Sequence, residues 1–207
     1  SPPMTTADPP AARADFVAGL VVTLPAIVAA VPFAILLGAL AAEKGLSPLE
    51  TGLMSALVFA GSAQFVAIDA WTSPPPWLLL GAVALVVNLR HVFMGASLRR
   101  HLGRFPTVAR ILALLVMADE IWAFAEARAA RRPLTPAFYA GAAGLFYVCW
   151  VVGGVAGTLA GRLIADPYAL GLDFAFVAIF IGLIMGFRQR PGFAATVAAS
   201  AAAATAV

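Results

Sequence analysis

Long apolar runs alternate with short polar breaks along this chain, and each run is too long to be a strand. The first extends from about Phe16 to Ala42, more than the roughly 20 helical residues needed to cross a bilayer's hydrocarbon core. It holds Pro25 and Pro32 on about the same helical face. Each proline removes a backbone donor and frees a carbonyl, which predicts a kinked helix. The loop Glu43 to Pro48 ends it, with Ser47 as an N-cap and Pro48 opening the next helix. A second run spans Leu49 to Trp71, and the proline-rich stretch Thr72 to Pro76 then forces a tight turn. The third run, about Trp77 to Leu98, carries Asn88, Arg90 and His91 near its end, followed by a basic loop with Arg99, Arg100, His101 and Arg104. A fourth, about Val108 to Ala127, has Asp119 and Glu120 at its middle. The fifth, about Pro136 to Ala160, leads into a second pattern: Gly153, Gly157 and Gly161 recur every fourth residue, a small-residue stripe suited to close helix packing. A sixth run, about Tyr168 to Phe187, has Asp173 near its start, and an Ala-rich stretch from Pro191 to Val207 is too short for a complete seventh.

Composition settles the class. Apolar residues make up 62% and charged residues 11%, against roughly 45–50% and 25% in soluble domains. A soluble fold has no place for so much hydrocarbon. The expected fold is therefore an all-α, polytopic membrane bundle of six to seven spans with kinked or discontinuous helices. A disordered tail is expected over 1–15 and a single transmembrane domain over 16–207. Arg clusters in the loops account for the basic pI near 9.6, so the bilayer, not nucleic acid, is the expected partner. The one cysteine, Cys149, lies in an apolar run and supports neither a disulfide framework nor a Cys-based metal site. No glycine-rich phosphate loop occurs, and no cofactor or metal is expected.

Two runs carry chemistry where lipid tolerates none. Phe59-Ala60-Gly61-Ser62-Ala63-Gln64-Phe65 puts Gly, Ser and Gln at the centre of the second run. Glycine weakens a helix there, and a glutamine amide has no partner in lipid. One reading is a substrate-facing break; the other is close packing, with Gln64 bonding between helices. In the fourth run an acid at a helix centre costs roughly 2.5–3.5 kcal/mol to insert, and each Leu or Ile returns only about 0.3–0.6. The apolar residues offset about one acid. The pair therefore faces protein or water, holds a proton, sits at an interface, or marks a helix that does not cross continuously. Adjacent helical residues point about 100° apart, so Asp119 and Glu120 do not form a shared-proton dyad. Arg90 either snorkels from the end of its span or pairs with Asp119 or Asp173 across the bundle.

Loop charges do not orient the chain. Seven continuous spans put Arg13, Arg128, Arg131, Arg132, Arg188 and Arg190 on one side and Lys44, Arg99, Arg100, Arg104, Arg110 and Arg162 on the other, a tie. A re-entrant fourth segment would gather the densest clusters on one face, as the positive-inside rule prefers. A faint echo, Gly38, Gly45 and Gly52 against Gly154, Gly161 and Gly171, hints at two parallel three-helix units, though abundant glycine explains it as well.

Several of these elements together resemble a known family. Pro32-Phe33, the stretch Ser55 to Phe65, Asn88-Leu89-Arg90-His91 with Gly95 and Leu98, and Asp119-Glu120 are similar in order to the AzlC-type branched-chain amino acid permeases. The resemblance covers about Phe16 to Arg190. It implies a multi-pass exporter of the bacterial inner (cytoplasmic) membrane, working with a small AzlD-type membrane subunit. Ile121 after the acids, and the short end of the chain, depart from that pattern.

Three classes of function are compatible with a membrane bundle of this kind. A secondary transporter fits the polar breaks over the first four runs. An intramembrane enzyme would draw on Ser62, His91, Asp119 and Glu120, yet neither His-x-x-x-His nor Gly-x-Ser-x-Gly occurs. A structural subunit needs no intramembrane acids. The expected function is export of valine, leucine, isoleucine and methionine, coupled to protons; the alternatives are an enzyme or a carrier of another small zwitterion. The break at Gly61-Ser62 with Gln64, and the carbonyls freed by Pro25 and Pro32, would hold the substrate's charged ends. Phe59, Phe65 and Val66 would line an aliphatic pocket, and Asn88 would join it. Asp119 or Glu120 would carry the proton, with Arg90, His91 and Asp173 in structural or ion-pair roles.

Overall fold

The first apolar run forms one helix, α1 (Pro9–Glu43), unbroken through Pro25 and Pro32. The computed structural model describes residues 9–163, 185, 188 and 192–205, and the chain divides into two compact units, one ending at Ile164 and one beginning at Ala165. Residues 9–15, expected in a disordered tail, belong to α1. The helix stops where Gly45 takes φ +83, a conformation open to glycine. There the Leu46 N–H bonds the Ala41 carbonyl at 2.9 Å and the Gly45 N–H bonds that of Ala42 at 3.0 Å, a Schellman stop.

Ser47 then caps α2 (Pro48–Val58). Its hydroxyl accepts from the Glu50 N–H at 3.2 Å, and the Glu50 carboxylate accepts from the Ser47 N–H at 2.7 Å. α2 ends at Phe59, in the left-handed region with φ 37 and ψ 46. A residue other than glycine is strained there by about 1–3 kcal/mol. The Phe59 ring is held between Tyr147 and Phe146, at 4.9 and 6.2 Å between centroids. α3 (Gly61–Asp69) begins two residues later.

α3 does not continue the line of α2. The Gln64 amide donates to Ser55 Oγ at 3.1 Å, and Lys44 Nζ donates to the Asp69 carbonyl at 2.9 Å. A continuous helix would separate Ser55 from Gln64 by about 13 Å along its axis. The second run is therefore a helical hairpin: α2 enters from the end where α1 stops, and α3 returns to that end. The expectation that it crosses as one span is corrected by these two contacts.

α4 (Trp77–Leu102) runs back toward the start of α1. It passes Leu98, where the third span was expected to stop, and takes Arg99, Arg100 and His101 into its last turn. Basic residues suit the negative end of a helix dipole. Arg90 thereby falls near the helix middle instead of its end, and the snorkelling reading fails because about 18 Å of helix lies on either side.

The fourth run is also a hairpin. α5 (Thr107–Leu115) rises beside α4, with Leu114 against Gly95. After Val116 to Ala118 the chain turns, and α6 (Asp119–Ala129) returns. Trp122 donates to Ser97 Oγ at 2.8 Å on the way. At its foot Arg128 pairs with Asp15 near the start of α1. So the two hairpins enter from opposite ends.

α7 (Pro136–Gly161) is capped by Thr135, whose hydroxyl accepts from the Phe138 N–H at 3.2 Å and donates to Asp15 at 2.7 Å. It lies parallel to α1. The glycine stripe makes this contact, as its spacing predicts: Gly153 meets Ala34, Gly157 meets Ile35 and Gly161 meets Ala39. Gly38 and Gly19 on α1 answer it at Gly154 and Phe138.

Where six or seven crossings were expected, α1, α4 and α7 are the three described helices long and apolar enough to cross a membrane. No strand occurs among the described residues. In the second unit, α8 (Phe193–Thr205) has 13 residues and follows Gly192 at φ +81. Nearly all of the expected sixth span, with Asp173, and the Gly171 of the faint repeat lie outside the described residues.

Candidate functional site

The turns of the two hairpins meet beside the middle of α4. α3 and α6 both pack on α4, and each presents its N-terminus there, with no side-chain cap from Ala60 or Ala118. Arg90 joins them. Its Nη2 donates to Ser62 Oγ at 2.7 Å, on the first turn of α3. Its Nη1 pairs with Asp119 Oδ2 at 2.8 Å, on the first turn of α6. Asp119 is thus the partner that Arg90 takes among the described residues. The pair is open: the side chains are 36% and 49% exposed. Charges at such depth are not tolerated against lipid, so this face belongs to water or to protein.

The neighbouring backbone is equally polar. The first hydrogen bond of α3 runs from the Gln64 N–H to the Ala60 carbonyl. The N–H groups of Gly61, Ser62 and Ala63 therefore have no acceptor among the described residues, as at any uncapped helix start. His91, next to Arg90, places Nε2 3.2 Å from the Met117 carbonyl in the second turn and Nδ1 3.3 Å from the Asn88 carbonyl. Arg90 Nε and Asn88 Oδ1 are buried without a partner among the described residues. Glu120, the next residue on α6, is exposed.

Other expected site residues do different things. Gln64 is 1% exposed; its amide donates to Ser55 while its carbonyl accepts from Trp150 Nε1 at 2.9 Å. In this arrangement it locks the hairpin to α7, with both ends of its amide engaged. Gly61 lies against the same indole, since a Cβ there would stand 2.9 Å from the ring. Phe59 is 3% exposed and packs inward, whereas Phe65, edge-on to Phe33 at 6.5 Å, and Val66 are more accessible. Pro25 and Pro32 lie on exposed positions of α1, and no hydrogen bond or ring contact among the described residues ties them to the hairpin turns. Four participants were not singled out from the sequence: Ser55, Trp150, Tyr139 and Tyr147. An indole N–H and phenol hydroxyls in an apolar run need partners, and that need was the available signal.

The family model described as AzlC protein matches residues 25–164. The inner membrane protein YgaZ of Escherichia coli is 28% identical over 191 residues, covering 89% of this chain and 78% of that protein. An uncharacterized membrane protein of Archaeoglobus fulgidus is 31% identical over 178 residues, covering 83% and 75%. One from Haemophilus influenzae is 26% identical over 139 residues, covering 66% and 56%. No solved structure matches the chain.

Proposed function

The chain belongs to the AzlC family of membrane proteins, and from that premise we propose that it is a secondary transporter exporting branched-chain amino acids across the bacterial inner membrane. The observation that carries this reading is Arg90, held between Ser62 and Asp119 where two opposed hairpins meet. Paired half-helices whose positive ends converge at mid-depth are a recurring way to hold a small anionic group inside a membrane. α1, α4 and α7 are the crossing helices in this reading, and the hairpins are re-entrant, each closing the site toward one face. Phe65 and Val66 line the aliphatic side of the pocket, Asn88 contributes an amide, and Asp119 carries the coupling proton. A small AzlD-type subunit completes the transporter.

Folding back both hairpins also breaks the tie in the loop charges and supports one orientation. The end holding the start of α1 then gathers Arg13, Arg99, Arg100, Arg104, Arg110, Arg128, Arg131 and Arg132, while the other end holds Lys44 and Arg162. Positive-inside bias assigns the first end to the cytoplasm. The enzyme alternative gains nothing from the site, because the Ser62 hydroxyl faces a guanidinium and not a base. A carrier of another small zwitterion remains as a second outcome of the test.

Counterflow in proteoliposomes tests the reading, with the chain alone and with its AzlD-type subunit. Valine, leucine, isoleucine and methionine are expected to exchange with modest discrimination, since a methylene in an apolar pocket is worth only about 1–3 kcal/mol. Exchange confined to a polar zwitterion would replace the substrate. No exchange of any amino acid would end the transporter reading.

A further inference from the structure

We infer that the Arg90–Asp119 ion pair is itself the receptor for the substrate's two charges. A zwitterion inserts into the pair, its carboxylate going to Arg90 and its ammonium to Asp119. A proton on Asp119 then competes with the ammonium. This rests on the transporter reading and deepens it.

The geometry supports each half. Arg90 has five N–H donors; one goes to Asp119, one to Ser62, and the Nε–H is buried with no acceptor among the described residues. A guanidinium edge with a spare donor beside a donor that now serves only a hydroxyl is suited to a two-oxygen grip on a carboxylate. The uncapped N–H groups of Gly61, Ser62 and Ala63 belong to the same first turn of α3 as the Ser62 hydroxyl that the guanidinium holds. For the ammonium, Asp119 Oδ2 is held by Arg90 alone among the described residues, and its side chain is half exposed. An ion pair so placed offers an α-amino acid the complement of both charges at neighbouring positions, and the substrate replaces the contact that it breaks.

The coupling sign follows. Protonating Asp119 removes the ammonium's counter-charge, so proton and amino acid exclude one another. Mutual exclusion at one carboxylate gives exchange, with a proton entering as an amino acid leaves. Among the described residues, the ionisable groups near Asp119 are Arg90 and His91 on α4 and Glu120 on α6. His91 is turned to the Met117 carbonyl and Glu120 is exposed, so Asp119 is the acid that meets the arginine.

The test is a binding matrix on purified full-length protein, using leucine, leucinamide (no carboxylate) and 4-methylpentanoate (no ammonium). The parent protein should bind leucine at least roughly tenfold tighter than either analogue, and leucine binding should weaken as pH falls. Asp119→Asn should weaken leucine about tenfold, leave 4-methylpentanoate unchanged and flatten the pH dependence. Arg90→Gln should leave leucinamide unchanged while weakening leucine. A misfolded variant would lose all three ligands, so Asp119→Glu, which should keep the pH dependence, serves as the second variant. Equal losses of leucine and 4-methylpentanoate in Asp119→Asn, or an intact pH dependence there, would overturn the inference while the parent still exchanges leucine. If the parent exchanges no amino acid at all, the transporter reading fails and takes this one with it.

Discussion

Tyr139 and Tyr147, two turns apart on α7, perform the same task at opposite hairpins. The Tyr147 hydroxyl donates to the Ala56 carbonyl at 2.9 Å, and the Tyr139 hydroxyl donates to the Ala113 carbonyl at 2.7 Å. Ala56 lies two residues before the end of α2, and Ala113 two before the end of α5. In a continuous helix these oxygens would accept from Ala60 and Met117, but the chain has turned before either N–H arrives. One helix thus satisfies an orphaned acceptor at each of the two turns.

Replacing either tyrosine by phenylalanine keeps the ring and removes the donor. Each change leaves a carbonyl unpaired in an apolar setting and should destabilise the fold by about 1–3 kcal/mol. Denaturant unfolding of the purified protein in detergent measures this. If both variants keep the parental midpoint, the two hydroxyls are not needed at the turns.

The α1–α7 seam should be intolerant of a single methyl. A Cβ at Gly38 would lie 2.0 Å from the Gly154 carbonyl oxygen, and one at Gly157 2.0 Å from that of Ile35. Gly38→Ala and Gly157→Ala therefore force the helices apart, at about 1–3 kcal/mol or more. Gly81 and Gly144 have open space where a Cβ would stand, so alanine at either should be neutral. A thermal melt comparing the four variants decides, and equal behaviour of both pairs would contradict the packing.

Gln64→Ala should act on stability before it acts on transport. It strips the Trp150 indole N–H of its acceptor and the Ser55 hydroxyl of its donor, both in buried surroundings. The cost expected is about 2–4 kcal/mol. A variant that unfolds as the parent does yet binds leucine more weakly would return Gln64 to the substrate site.

Surface labelling separates hairpins from crossings. In a Cys149→Ala background, Lys44→Cys and Ser73→Cys flank the first hairpin, and Gly103→Cys and Arg132→Cys flank the second. The first two should react with an impermeant maleimide from outside intact cells, and the last two only after permeabilisation. Lys44→Cys and Ser73→Cys reacting from opposite sides would mean that α2 and α3 cross as one span.

Local chemistry was legible in the residues themselves. Apolar run length specified membrane helices, Ser47 and Pro48 marked the start of α2, and the four-residue glycine spacing marked α7 for close helix packing, though not against which helix. The break in the second run was visible within two residues, because glycine and polar side chains weaken a helix wherever it ends up. Whether that break was a kink or a reversal was not legible. A run such as Leu49 to Trp71 holds enough residues for one crossing or for two half-depth limbs, and hydropathy is the same for both. The decision lies in contacts between distant positions: Lys44 with Asp69, Gln64 with Trp150, Arg128 with Asp15. The tied charge count had the same origin, since it depended on how many times the chain crosses. Arg90 shows the division most plainly. Its residue type announced a charge that must find a partner in an apolar helix, and that much is intrinsic to the side chain. Its depth and its bond to Asp119 arose only when two hairpins brought their turns to one point on α4, because an ion pair needs proximity that no local pattern encodes.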